Sequence, residues 1–196
     1  MTGLAFRRPC FRGRVASAST SAYCQARARL DPAWLGEIHG SLLRSMETRF
    51  AGRGLWCGRN VVVVDGSAVS MPDSASNQTA FPQPRTQKPG CGFPVARIAV
   101  IFSLAAGAML DLAWDSLHAA ETTLFRRMWP GLRAGDVVLG DRGFSALADL
   151  WCLQLRGVDC VVRKNARRSV GVREVKRLGE NDRWVDWVKS KEIPVW

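Results

Sequence analysis

Val61-Val62-Val63-Val64-Asp65 and Asp136-Val137-Val138-Leu139-Gly140-Asp141-Arg142-Gly143-Phe144 are the two stretches that decide how this chain reads. Each is a short apolar run that ends on a carboxylate. Four consecutive valines show neither a helical nor an alternating period, and such a run suits a strand buried on both faces, as in a parallel sheet. An aspartate after a strand is a common turn residue, and either acid alone reads that way. Two of them at the lips of neighbouring strands could instead hold a pair of divalent cations, which activate an attacking oxygen and stabilise a leaving one in phosphodiester chemistry. The two runs by themselves leave both readings open.

Around these strands the periodicity supplies the other elements. Residues 95–104 and 109–114 read as strands joined by a turn at Ala105-Ala106-Gly107, a hairpin. Residues 119–129 read as a helix with Leu124, Phe125 and Met128 on one side, stopped by Pro130-Gly131. Phe144, Leu147, Trp151 and Leu155 keep helical spacing up to Gly157, and residues 159–163 form a last strand. Upstream, Asp31-Pro32 offers an N-cap and a first-turn proline. Leu35, Ile38, Leu42 and Met46 follow at helical spacing, which predicts an amphipathic helix over 32–50, ended by Ala51-Gly52-Arg53-Gly54. Residues 71–94 are too rich in Pro, Ser, Asn, Gln and Gly to predict a regular element, and residues 1–20 predict a basic arm with little fixed structure. The order strand, hairpin, helix, strand, helix, strand is the one an RNase H-like domain needs. It is an α/β class: a mixed sheet flanked by helices, with the first acid on the first strand and the second at the end of the fourth.

Five strings carry a resemblance. Asp65-Gly66-Ser67-Ala68-Val69-Ser70-Met71-Pro72-Asp73-Ser74, Gly140-Asp141-Arg142-Gly143-Phe144-Ser145, and the upstream segment ending Gln25-Ala26-Arg27-Ala28-Arg29-Leu30 resemble the insertion-sequence-4 family of bacterial transposases, as do Val161-Val162-Arg163-Lys164-Asn165 and Arg177-Leu178-Gly179. The resemblance covers nearly the whole chain, and Gly-Asp-Arg-Gly-Phe after a strand is its most specific part. It implies a DDE catalytic domain of RNase H-like fold that cleaves DNA at transposon ends and joins the freed 3′-hydroxyl to target DNA. It also implies Asp65 and Asp141 as catalytic and metal-ligating residues, Mg²⁺ or Mn²⁺ as two ions, transposon-end and target DNA as partners, a homodimer in a synaptic complex, and a cytoplasmic, nucleoid-associated bacterial protein.

The family closes its triad with a Glu inside a Tyr-x-x-Arg-x-x-x-Glu string, and nothing after Asp141 resembles it, since Tyr23 is the one tyrosine. The chain therefore reads as an N-terminal part of such a transposase. Residues 1–56 would be the basic arm and helical extension, 57–168 a partial catalytic core, and 169–196 the start of a truncated β-rich insertion. On that reading the chain is catalytically incomplete. Without the helix that covers one side of the sheet it would expose apolar surface, for which Trp184, Trp187 and Trp196 are candidates unless they pack within strands of the insertion. A non-catalytic DNA-binding remnant, and an RNase H-like nuclease that takes its third acid from Glu174 or Glu180, are the alternatives.

Charge points the same way. The net charge is +11, from 28 Lys and Arg against 17 Asp and Glu, and residues 1–60 hold ten arginines and three acids, a net of +7. An arginine-rich chain suits a polyanion, because the guanidinium fork binds phosphate with two hydrogen bonds; a GC-rich genome would enrich arginine as well. Arg27 and Arg29 are candidate DNA contacts. Arg163, Lys164, Arg167 and Arg168 either track a DNA backbone or form a solvated edge. Arg142 either positions a phosphate or pairs with Asp136 or Asp141, and Ser67 either supports the first carboxylate or completes a turn. His118 and Glu121 read as structural. Six cysteines with no Cys-x-x-Cys pair fit neither a zinc site nor a disulfide framework and read as reduced thiols, with Cys152 and Cys160 filling core space. The longest uncharged apolar run, residues 98–110, is thirteen residues, short of the ~20 that cross a bilayer. No secretory signal is predicted either.

Overall fold

The computed structural model describes residues 20–164, 172–180 and 182–187. Of the basic arm expected over residues 1–20, all but Thr20 lie outside the described residues, as do Arg167, Arg168 and Trp196. The chain divides into two compact units, residues 1–47 and 48–196.

In the first unit α1 (Thr20–Ala28) is followed by α2 (Pro32–Phe50), which runs on past the boundary. Asp31 Oδ1 accepts the Ala33 amide at 2.9 Å, so the aspartate caps the helix that Pro32 opens. α1 was not anticipated: its segment, Thr20-Ser21-Ala22-Tyr23-Cys24-Gln25-Ala26-Arg27-Ala28, has no apolar stripe, and neither helix has a buried residue.

The second unit is mixed α/β, with a five-stranded mixed sheet flanked by helices. β1 (Val61–Ser70) is followed by a short α3 (Ala75–Ala80), then the hairpin of β2 (Val95–Ser103) and β3 (Met109–Ser116). Next come α4 (Glu121–Met128), β4 (Val137–Gly140), α5 (Leu147–Leu155) and β5 (Asp159–Val162). The sheet order is β3-β2-β1-β4-β5, with β2 antiparallel to its neighbours and β1, β4 and β5 parallel. A separate hairpin, β6 (Val172–Arg177) and β7 (Arg183–Trp187), follows.

α3 corrects the expectation that residues 71–94 hold no regular element. Its signal was local: Ser74 accepts the Asn77 amide at 3.2 Å as an N-cap. Beyond it, glutamine amides replace backbone ladders. Gln83 Nε2 donates to the Lys88 carbonyl at 2.7 Å, while its Oε1 accepts the Gly90 and Gly92 amides.

The main core cluster lies on one face of the sheet, while Val61, Ala96, Val100 and Val137 are buried on the other. Val62, Val64, Ala99, Ile101, Ala113 and Val138 meet Leu124, Phe125 and Met128 of α4, Leu153 of α5, and Phe144. Phe125 makes edge-on contacts with Phe144 at 5.5 Å and Trp129 at 5.9 Å. Arg59 fastens the lower end, donating to the carbonyls of Gly135 and Asp136 and to the Asp159 carboxylate, and so ties the entry of β1 to β4 and β5. Arg126 pairs with the buried Asp149 at 2.8 Å, joining α4 to α5. Arg127 bonds Asp115 of β3 and holds that carboxyl below the usual carboxylate range.

Cys160 packs against this core, and burial raises its thiol to about 11, whereas Cys24, Cys57 and Cys91 are exposed. The thiolate is the reactive form. At pH 8, iodoacetamide is expected to label the three exposed cysteines at least tenfold faster than Cys160, read by peptide mass spectrometry. Equal rates would contradict this packing.

Candidate active site

β1 and β4 pair in parallel, with Val62 opposite Val138, Val63 opposite Leu139 and Val64 opposite Gly140. The next residue on each strand is the aspartate. Adjacent strands lie ~4.8 Å apart, so Asp65 and Asp141 leave neighbouring backbone positions. Val62, Val64 and Val138 turn into the core, so alternation sends both acids to the opposite face, where both are exposed. The two environments differ. β1 runs on beside β2, with Asp65 opposite Val100, whereas β4 stops and Asp141 caps the 3₁₀ turn Arg142–Phe144.

Each carboxylate is oriented by a backbone amide that follows it closely in the chain. Asp65 Oδ1 accepts the Gly66 amide at 2.8 Å, and Asp141 Oδ1 accepts the Gly143 amide at 2.7 Å. Oδ2 of each has no hydrogen-bond partner among the described residues. The glycines follow from close approach. A Cβ on Gly143 would lie 2.8 Å from Asp141 Oδ1, and one on Gly140 would meet Val64 Cγ1 at 3.2 Å and Phe144 Cβ at 3.3 Å. So in Gly-Asp-Arg-Gly-Phe the first glycine lets the phenylalanine fold back, the second makes room for the carboxylate, and Phe144, 3 % exposed, anchors the turn in the core. A Cβ on Gly66 would lie 2.6 Å from Glu121 Cδ, which places the Glu121 carboxylate on the core-facing side of β1, away from Asp65.

Cations rim the acids. Arg142 follows Asp141, and Arg163 and Lys164 follow β5 at the same carboxyl end of the parallel strands; all three are exposed and form no ion pair among the described residues. The alternative in which Arg142 pairs with Asp136 is not realised, because the two residues lie at opposite ends of β4; Asp136 Oδ2 accepts the Arg133 amide at 2.8 Å. Ser67 stands exposed two residues beyond Asp65 and makes no hydrogen bond to its carboxylate among the described residues. Arg27 and Arg29 are exposed in the first unit. Glu174 is engaged across the β6–β7 hairpin by Arg183 at 3.3 Å, and Glu180 lies in the hairpin turn. Neither joins the aspartates: among the described residues no group of three or more His, Cys, Asp or Glu could hold a metal ion.

Exposed apolar surface was expected, but the sheet residues that supply it were not named. Besides Trp184, 64 % exposed in the hairpin, the face that carries Asp65 leaves Trp114, Val161 and Leu112 59 %, 47 % and 36 % exposed. The period-2 pattern assigned these residues to strands; it gave no sign of what covers their outer face.

Two exposed carboxylates, each with one oxygen to spare, form a hard-oxygen donor pair. That suits Mg²⁺ or Mn²⁺ in the mode where one or two carboxylates share the ion with a substrate phosphate. Compared with known proteins, the chain matches no family model, no curated sequence and no solved structure. No helix among the described residues is long and apolar enough to cross a membrane.

Proposed function

We propose that this chain is part of a DDE-type transposase of the insertion-sequence-4 kind, that its sheet is RNase H-like, and that its substrate is DNA. The observation that carries the reading is that Asp65 and Asp141 each come directly after the last paired residues of parallel β1 and β4, Val64 and Gly140, where alternation turns them away from the main core. A hard divalent ion at that pair, when bound, would activate an oxygen for attack on phosphorus. The residues of the chain do the rest. The Gly66 and Gly143 amides fix the two carboxylates. Arg142, Arg163 and Lys164 supply positive charge for the DNA backbone on either side of the reacting phosphate.

A second reading, a DNA-binding chain without catalysis of its own, is favoured by one observation: the described residues bring two carboxylates together rather than three. Two carboxylates hold such an ion weakly while no phosphate shares it. Mn²⁺ titrations followed by water-proton relaxation are expected to show binding at roughly millimolar concentration, weakened at least tenfold in Asp65→Asn and in Asp141→Asn. Mn²⁺ binding unchanged in both variants would remove the site. Mg²⁺- or Mn²⁺-dependent nicking of duplex DNA, lost in both variants, would instead exclude the non-catalytic reading.

A further inference from the structure

We propose that α2 is a self-association surface, and that the partner it fits is the α2 of a second copy running antiparallel to it. The inference stands apart from the reading of the two aspartates.

α2 is a 19-residue helix without a buried residue. Trp34, Leu35, Ile38 and Leu42 are 59 %, 59 %, 57 % and 57 % exposed. A helix with so large an apolar stripe is ordinarily held by packing on that stripe rather than by propensity. The spacing of the stripe says what fits it. Leu35, Ile38, Leu42, Ser45 and Arg49 follow one another at intervals of three, four, three and four residues, a heptad seam along one side of the helix, and the capping Asp31 stands four residues before Leu35 at its start.

That seam is symmetric about residue 40. Laid antiparallel on a second copy with its two-fold axis there, Ile38 meets Leu42, Leu35 meets Ser45, Trp34 meets Met46, and Asp31 meets Arg49. Because the interface is isologous, every pairing occurs twice. The ends decide the direction. Antiparallel packing sets the Asp31 carboxylate against the Arg49 guanidinium at both ends, whereas parallel packing sets aspartate on aspartate and arginine on arginine. Both groups are available: Asp31 spends one oxygen on its cap, and Arg49 makes no side-chain hydrogen bond or ion pair among the described residues. A seam this short gives an interface below the roughly 1,200 Å² at which standard-size interfaces begin, the class of weak and transient association.

Sedimentation equilibrium of the full chain from about 1 to 200 μM, at moderate salt and without DNA, tests this. The expected result is a monomer–dimer equilibrium, weakened on the order of a hundredfold by Ile38→Asp and by Leu42→Asp. Asp31→Arg and Arg49→Asp are each expected to weaken it at least about threefold, because each turns two attractive pairs into repulsive ones. An equimolar mixture of those two charge variants is expected to recover the lost affinity as a heterodimer. Recovery cannot come from local helix stability, since the mixture contains the same altered helix ends as its components. A monomer throughout the range overturns the proposal, whether or not its α2 amides resist hydrogen exchange; resistance would show the stripe covered from within the chain. A dimer indifferent to the stripe variants, or one that neither charge variant weakens, overturns it equally.

Discussion

Phe144→Ala is expected to lower the stability of the sheet unit by about 3–5 kcal/mol, the range for deleting a buried aromatic ring. Phe144 is 3 % exposed and stands edge-on to Phe125, with ring centroids 5.5 Å apart and planes at 80°. Its loss opens a cavity between α4 and β4 that the surrounding core residues, Val64, Leu124 and Leu153 among them, can fill only in part. Since a domain is typically stable by ~5–15 kcal/mol, this one change removes a large share of the total. Urea unfolding followed by far-ultraviolet circular dichroism measures it; a loss under about 1 kcal/mol would show that the ring is not the anchor described. Phe144→Leu keeps most of the buried volume and is expected to recover more than half of the loss. The consequence reaches the acids, because Phe144 closes the turn whose Gly143 amide orients Asp141. Phe144→Ala that remains folded at low temperature should therefore bind Mn²⁺ less tightly than the wild type, although it touches no donor oxygen.

This coupling of core and acid explains why the second unit was legible in the sequence. The runs ending at Asp65 and Asp141 are too apolar and too short for anything but buried strands, and two such strands place their carboxylates side by side once they pair in parallel. Helix α4 announced itself because it buries its stripe on the sheet, Leu124, Phe125 and Met128 lying at 0–2 % exposure; in α5 the spacing found the helix but not its buried side, since Trp151 and Leu155 are 56 % and 72 % exposed and Leu153, at 1 %, packs instead. Where the chain departs from expectation, long-range packing leaves no periodic trace. α3 is one turn and a half held by a serine cap and by glutamine amides that reach as far as Gly92. β1 runs to Ser70, past the polar Asp65-Gly66-Ser67, because β2 supplies a partner at every step as far as Val95. Glu121 lies over Gly66, a contact between residues 55 positions apart that neither local sequence suggests. The candidate site was legible as far as its two acids and its cations. The Arg142–Asp136 pair is absent because the two residues flank opposite ends of β4, which the strand reading itself implied.

Deleting residues 1–30 is expected to have the largest effect on DNA affinity, and the effect is one of salt dependence. The deletion removes Arg7, Arg8, Arg12, Arg14, Arg27 and Arg29, six cations of a region that carries +7 of the net +11. Each arginine that neutralises a phosphate releases condensed counterions, so log affinity falls against log salt with a slope of about −0.9 per contact on duplex DNA. If all six bind, the slope of the intact chain is steeper by roughly five units, equivalent to about a thousandfold in affinity between 50 and 200 mM salt. Arg142, Arg163, Lys164, Arg167 and Arg168 remain in the shortened chain. It is therefore expected to bind duplex DNA weakly, with a slope no steeper than about −4 to −5. Fluorescence anisotropy with a labelled duplex at four or more salt concentrations gives both slopes directly. Two different sequences should give the same pair, since phosphate contacts carry no base information. A slope that the deletion leaves unchanged would move the electrostatic surface away from the N-terminal third. The cations around Asp65 and Asp141 would then be the principal DNA contact, and charge-neutralising changes at Arg142, Arg163 and Lys164 would account for the slope.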